Sequence, residues 1–322
     1  MSVEQIYAPV REDFEKVNAL IHDQLASRVP LVEQIGQYIV DSGGKRLRPL
    51  LVLLSTGALD YRGDQHPTLA TVIEFLHTAT LLHDDVVDTS ELRRGKKTAN
   101  ANWGNAPSVL VGDFLYSRAF QMMVEMGSMR IMDVLSEATA VIAEGEVLQL
   151  VNSRNPDVSE AQYRTVIHNK TAMLFQAASH TGAILAGAEP RVEEALRDYG
   201  QHLGMAFQIV DDLLDYQGDA ETMGKNVGDD LAEGKPTLPL IHAMLHAKEE
   251  DSQVIRRAIR KGGLDQLDAV LSIVRDCGSL DYALESARVE ADKARACLEQ
   301  LPPSDHRTAL ELLITLALER SS

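Results

Sequence analysis

The 322-residue chain reads as an all-α protein, a bundle of about ten or more helices, and three observations carry that reading. Aromatic residues make up only 5% of the chain and proline 11 positions, while Leu, Ala, Glu and Met fill the long stretches between breaks. Apolar residues recur at the helical period in one segment after another. No segment shows a convincing period of two, so no sheet is expected.

Taken in order, Phe14, Val17, Leu20, Ile21 and Leu25, then Leu31, Ile35, Tyr38 and Ile39, predict two amphipathic helices. The second stops at Asp41-Ser42-Gly43-Gly44, where the glycines can take positive φ, and Pro49 marks the first turn of the next helix. Further helices are expected over about 68–89, 106–127, 130–150, 158–187, 190–217 and 236–247, with several more after 252. Breaks fall at Gly63-Asp64, Arg93 to Gly104, Asn152 to Asp157, Gly187 to Pro190, Gly218 to Gly234, Gly262-Gly263 and Pro302-Pro303. None has the length and low complexity of a linker, so residues 1–322 are expected to form one helical domain. Thr68 to Leu82 and Gly182 to Ala188 are apolar nearly all round, which places them in the middle of the bundle.

The formal net charge of −17 argues against a general binder of nucleic acid or anionic membrane and makes any basic cluster conspicuous. Cys277 and Cys297 are too few for a disulfide framework and are not at metal-ligand spacing, so a reducing cytoplasm is expected. The first residues carry no basic region followed by an apolar stretch, and no run approaches the roughly 18 apolar residues of a membrane span.

The feature with chemistry is Asp84-Asp85-Val86-Val87-Asp88, at the end of the apolar helix. Asp84 and Asp88 are four residues apart on one helical face with Asp85 beside them, so the three carboxylates are expected to share one patch. Like charges at that spacing oppose the helix unless a cation neutralises them. Carboxylates without Cys or paired His favour a hard, oxygen-seeking ion such as Mg²⁺, which also keeps waters and takes a phosphate. A lone acidic turn would more often be a solvated surface. Here the pattern returns: Gln208, Asp211, Asp212 and Asp215 fall at i, i+3, i+4 and i+7 along a second helix. Two such stripes predict a cage for several divalent ions bridging a diphosphate.

Cations for the remaining phosphate charge stand in three places. Gly43-Gly44-Lys45-Arg46-Leu47-Arg48-Pro49 puts Lys45 and Arg48 at a helix start, where the dipole also favours an anion. Arg93-Arg94-Gly95-Lys96 follows the first acidic motif, and Lys225 follows the second. Guanidinium forks match phosphate oxygens bidentately, so Arg48, Arg93 and Arg94 are the better candidates and Arg46 the weaker.

These segments, with Lys170-Thr171, resemble the trans-isoprenyl diphosphate synthase family in order and spacing over nearly the whole chain, and they are most similar to its long-chain, octaprenyl-forming bacterial members. The resemblance implies a helical bundle around a deep central cavity, dependence on Mg²⁺ with three ions per site, and a homodimer. It also implies condensation of an allylic diphosphate, with farnesyl diphosphate the expected primer, and several isopentenyl diphosphates to an all-trans product of about C40, with C45 possible. Such a product would supply a quinone side chain, with transient membrane contact at release.

Residue by residue, the resemblance implies that Lys45, Arg48, His77 and Arg94 hold isopentenyl diphosphate. Arg93, Lys170, Thr171, Gln208 and Lys225 match positions that hold the allylic diphosphate, with Lys235 close by. Asp84, Asp88 and Asp211 match metal ligands, and Asp85, Asp212 and Asp215 support them. His77 by itself would read as a core histidine.

Ala79 and Thr80 lie one turn upstream of Asp84, and short-chain relatives carry bulky aromatics near these positions, so the path for a growing chain is expected to be open. Leu76 and Phe75, or Met122 and Met123, would form its floor. The rival readings are a shorter-chain synthase, a terpene cyclase or head-to-head synthase, a non-catalytic partner subunit and a helical di-iron protein. The last needs Glu-x-x-His from two helices, and only Glu74 to His77 supplies a well-placed instance.

Overall fold

The helix starts and stops follow local chemistry. A computed structural model describes residues 3–217 and 227–319. The opening amphipathic helices are Arg11–Gln24 and Pro30–Asp41, preceded by a short turn at Glu4–Tyr7. Pro30 and Pro67 sit in the first turns of Pro30–Asp41 and His66–Val87, where an absent N–H goes unmissed. Ser159 caps Glu160–Ile167 through a reciprocal box with Gln162.

The described chain packs as two compact units, each built from segments far apart in sequence. The first comprises Met1–Thr139, Leu174–Gly200 and Cys297–Leu313. At its centre His66–Val87 lies beside Leu47–Ala58 and Asn105–Met126. Leu69, Ala70, Val72, Ile73, Phe75, Leu76, Ala79 and Leu82 are all buried, so most of this helix lies in the interior of the unit, as its composition predicts, while Val87 at its end is exposed. Gly112 lets Asn105–Met126 approach closely, for a Cβ there would meet the His83 ring at 2.4 Å. The Ser108 hydroxyl donates to the Leu82 carbonyl at 3.0 Å across the same contact.

The second unit comprises Ala140–Met173, Gln201–Ala296 and Ile314–Ser322. One of its cores gathers Tyr163, Ile167, Ala172, Ile209, Leu213, Leu238 and Ala287, and another Tyr216, Leu231, Leu240, Ile255, Ile259 and Val274. The end of Pro190–Gln217 that carries the second acidic motif contributes to both, from Met205 to Tyr216.

The structure differs from the sequence reading in four places. Leu92–Arg93 and Lys96–Lys97 form a two-residue antiparallel ladder, too short to show a period, with Leu92 opposite Lys97. Arg94 and Gly95, both at positive φ (53° and 74°), make its turn, the conformation that a two-residue hairpin favours. The stretch expected as one helix over 158–187 is interrupted by a π turn at His168–Ala172, between Glu160–Ile167 and Met173–Leu185. Gly182 to Ala188 straddles a helix end, because Leu185 is the last helical residue and Gly187 turns back at φ 68°. Finally, Ala99–Trp103 and Asp229–Glu233 are short helices inside stretches read as breaks.

Candidate active site

In the first unit the acidic pentad divides. Asp84 and Asp88 are half-buried at the end of His66–Val87, but Asp85 is fully buried and faces elsewhere. The expected patch of three carboxylates is therefore corrected to two. A step of one residue turns the helix by about 100°, so Asp85 cannot share the face of Asp84 and Asp88. Its carboxylate instead receives the Arg93 guanidinium, with Nη2 at 2.7 Å from Oδ1 and Nε at 3.0 and 3.2 Å from the two oxygens. Arg93 is thus first of all the counterion of Asp85, which ties the hairpin to the helix end. A buried carboxylate without such a partner would be strongly destabilising.

The arginines at the helix start take different partners. Arg46 takes the left-handed region at φ 44°, directly before Leu47–Ala58, and its guanidinium turns to Asn18. Arg48 points the other way: its Nη1 lies 3.2 Å from His77 Nε2 and its guanidinium carbon 4.4 Å from the centre of the Phe175 ring. An arginine can only donate, so His77 Nε2 accepts and the proton sits on Nδ1. Burial, reinforced by Arg48, Arg94 and Arg93, holds the His77 pKa well below its ordinary value. His77 is a neutral acceptor that orients Arg48.

Arg94, on the tip of the hairpin, lies over Gly44. A Cβ on Gly44 would stand 2.5 Å from Arg94 Nη1, and Gly44 adopts φ 145°, which disfavours a side chain. Gly44→Ala is expected to push Arg94 aside and raise roughly tenfold, equivalent to about 1.4 kcal/mol, the KM of a substrate that Arg94 holds, with little change for a co-substrate held elsewhere. Steady-state kinetics with each substrate varied in turn will check this. Glu74 and Phe175 belong to the same constellation and were not singled out for it from sequence. Burial pushes the Glu74 carboxyl up, against the charges of Arg46, Arg48 and Arg94, and its buried Oε2 has no hydrogen-bond partner. A Glu three residues before a His on an apolar helix was the available signal.

In the second unit the π turn carries Lys170 and Thr171. Gly145 admits it: a Cβ there would lie 2.9 Å from the Lys170 amide nitrogen. Lys170 Nζ donates to Glu146 Oε2 at 2.6 Å. Thr171 Oγ1 donates to Gln208 Oε1 at 2.9 Å, Gln208 Nε2 to Asp212 Oδ1 at 2.7 Å, and the Tyr163 hydroxyl to Asp212 Oδ2 at 2.6 Å. This chain of bonds fixes the orientation of Gln208. Burial, with Asp230 adding to it, pushes the Asp212 pKa well above the usual carboxylate range, while the bonds from Tyr163 and Gln208 oppose the shift. Asp215 is also buried and accepts from the Asp230 amide at 3.1 Å, leaving Asp211 half-buried as the more exposed carboxylate of the stripe. Lys235 pairs with Glu233. Lys225 lies outside the described residues.

Tyr163→Phe removes one of the donors to buried Asp212 and is expected to lower stability by about 1–3 kcal/mol in urea unfolding. An unchanged midpoint would show that Asp212 finds another donor.

Among the described residues no three His, Cys, Asp or Glu side chains group closely enough to enclose a metal ion. The half-buried aspartates nonetheless suit an ion that takes one or two carboxylates and keeps waters and phosphate oxygens for the rest, which is the habit of Mg²⁺ rather than of zinc.

Small buried residues precede the first motif. Ala79 is fully buried, with Leu76, Phe75, Met122 and Met123 buried in the same unit, and the Thr80 hydroxyl donates back to the His77 carbonyl at 2.8 Å.

Known proteins resemble this chain over its whole length. The sequence profile of the polyprenyl synthetase family matches residues 29–275. The octaprenyl diphosphate synthase of Escherichia coli (strain K12) is 55% identical over 99% of both chains. The all-trans-nonaprenyl-diphosphate synthase (geranyl-diphosphate specific) of Rhodobacter capsulatus is 49% identical over 98% of both. A crystal structure of polyprenyl synthase from Caulobacter crescentus CB15, complexed with calcium and isoprenyl diphosphate, superimposes with a TM-score of 0.96 at 46% identity, covering 100% of this chain and 98% of that one. The matched stretch includes the glycine-lysine-arginine turn, both acidic motifs and the π turn between them, and the likeness in fold extends along the whole chain, so the chain belongs to the polyprenyl synthetase family and is a prenyltransferase.

Proposed function

We propose that this prenyltransferase extends an allylic diphosphate, with farnesyl diphosphate as primer, by successive additions of isopentenyl diphosphate to an all-trans product of about C40. The product would furnish the side chain of a quinone. The observation that carries the length is the full-length 55% identity to an octaprenyl diphosphate synthase, joined to small residues at Ala79 and Thr80 where a bulky side chain would shorten the path. A C45 product is the second reading, favoured by the 49% identity to a nonaprenyl synthase.

The chemistry follows from charge. Ionising the allylic C–O bond leaves its electron pair on the departing diphosphate, and the barrier falls where fixed positive charge meets that developing charge. Lys170 is the described cation assigned to this task, with Lys225 from outside the described residues. Thr171 and Gln208 orient the group, and Arg93 helps while paired with Asp85. Divalent ions, three Mg²⁺ in this reading, supply further charge neutralisation when bound, and Asp84, Asp88 and Asp211 are the residues assigned to hold them, supported by Asp85, Asp212 and Asp215.

Lys45, Arg48, His77 and Arg94 hold isopentenyl diphosphate, whose double bond attacks the allylic carbon to form the new C–C bond. The proton released from the adjacent carbon passes to diphosphate, so no side chain need serve as base. Asn105–Met126 exposes Leu110 and Val124, each 65% accessible, which supports a homodimer through this helix. No helix among the described residues is long and apolar enough to cross a membrane. In this reading the enzyme works in the cytoplasm and touches a membrane only to release product.

The test is incubation with labelled isopentenyl diphosphate, farnesyl diphosphate and Mg²⁺, followed by chain-length analysis. Label should accumulate in an eight-unit product. Cyclised hydrocarbon, or no incorporation, would overturn the reading.

A further inference from the structure

A basic cluster in the second unit takes no part in the chemistry above. Arg256-Arg257-Ala258-Ile259-Arg260-Lys261-Gly262-Gly263 ends the Glu249–Lys261 helix in a chain whose net charge is −17. Two of these cations are occupied: Arg256 Nη1 lies 2.5 Å from Asp157 and Lys261 Nζ 2.5 Å from Asp265. Arg257 and Arg260 are exposed and form no ion pair among the described residues.

A third exposed arginine converges on them. Arg154 sits at φ 62° with its amide donating to the Gly234 carbonyl at 2.7 Å, and a Cβ on Gly262 would meet its Nη2 at 3.6 Å. The Arg256 hydrogen bond holds the Asp157 carboxyl below its usual range, and the charges of Arg256 and Arg260 add to it.

Between Arg257, Arg260, Lys261, Gln266 and the two glycines opens a cavity of about 410 Å³, whose one carboxylate, Asp265, is neutralised by Lys261. Its glycine floor is bare, because Gly263 adopts φ 81° and a Cβ there would meet nothing within 4 Å. The amides of Gly262 and Gly263 already donate to the Ala258 and Ala232 carbonyls, each at 2.9 Å, so a ligand here is held by side chains. Arg260 and Lys261 both stand in the last turn, where cations complement the helix C-terminus, and Lys261 is already paired with Asp265. Two unpaired guanidinium forks on the same rim, with a third beside the glycines, match the oxygens of phosphate and diphosphate.

We propose that this cavity binds a phosphate-class anion, with Arg257 and Arg260 as the bidentate donors and Arg154 at the rim. Two sources share that chemistry: free inorganic diphosphate and the headgroup phosphate of an anionic lipid.

The full-length protein, freed of divalent metal so that metal-dependent diphosphate binding elsewhere is silent, would be titrated with inorganic diphosphate by calorimetry. In parallel it would be floated with phosphatidylglycerol and with phosphatidylcholine vesicles. R257Q/R260Q should weaken diphosphate binding at least tenfold, or abolish flotation with phosphatidylglycerol. R257K/R260K, which keeps the charge and loses the forks, should fall between. Loss confined to the diphosphate titration assigns a free anion, and loss confined to flotation assigns a headgroup.

Equal binding by wild type and R257Q/R260Q in both assays, or none by wild type in either, overturns the proposal. Both arginines are exposed, and an unchanged thermal melt will confirm that the variants fold. Turnover of isopentenyl and farnesyl diphosphate is measured separately on the same variants, so failure of this site and failure of the proposed reaction are distinguishable.

Discussion

Asp84→Ala is expected to reduce turnover by roughly 10²–10³-fold or more while leaving the thermal melt nearly unchanged, and Asp211→Ala should do the same. Both carboxylates are half-buried at positions assigned to metal, where their removal withdraws charge stabilisation from the departing diphosphate and little packing. The neighbouring Asp85 is the contrast. It is fully buried and its oxygens carry the Arg93 fork at 2.7 Å, so Asp85→Ala should lower stability by about 3–5 kcal/mol by leaving a guanidinium unpaired, in addition to any loss of turnover through Arg93. Steady-state rates in Mg²⁺ set beside urea unfolding will separate the two outcomes. Near-native turnover for Asp84→Ala would remove it from the metal site.

Ala79→Tyr should shorten the product to a few isoprene units without stopping the first condensation. Ala79 is fully buried one turn above the half-buried carboxylate of Asp84 and shares its unit with buried Leu76, Phe75, Met122 and Met123. If its methyl group borders the path of the growing chain, a phenol ring closes that path where isoprene units would otherwise accumulate. If it merely fills core, the same ring is an overpacked side chain that destabilises by about 1–3 kcal/mol and leaves the product length of the surviving enzyme unchanged. Mass spectrometry of the dephosphorylated products, read with the thermal melt, distinguishes a wall from a core position.

The helices were legible because their signal is local. Pro190–Gln217 was readable to the residue, and His66–Val87, Asn105–Met126 and Met129–Asn152 to within two, since burial of one face at the helical period leaves its mark within each segment. Both acidic motifs and the turn from Gly43 to Arg48 were also visible, because like charges gathered at the end of an apolar helix, and cations gathered in an acidic chain, have few structural reasons to be there.

The structure decided what each charged residue meets. Asp84 and Asp85 are adjacent and chemically identical, yet one is half-buried and the other sealed against Arg93 eight residues on. Asp212 is distinguished from Asp211 by Tyr163, 49 positions away, and Arg48 is set by His77 and by Phe175, on a third helix. The π turn that presents Lys170 and Thr171 depends on Gly145 making room for it. The sequence by itself determined the helices, the two carboxylate stripes and the cations that accompany them, since periodicity and local charge are properties of neighbours along the chain. Which carboxylates are sealed in the interior, which stay half-buried and what the arginines meet was decided only in the tertiary structure, because a buried charge takes its character from partners that folding brings from distant segments.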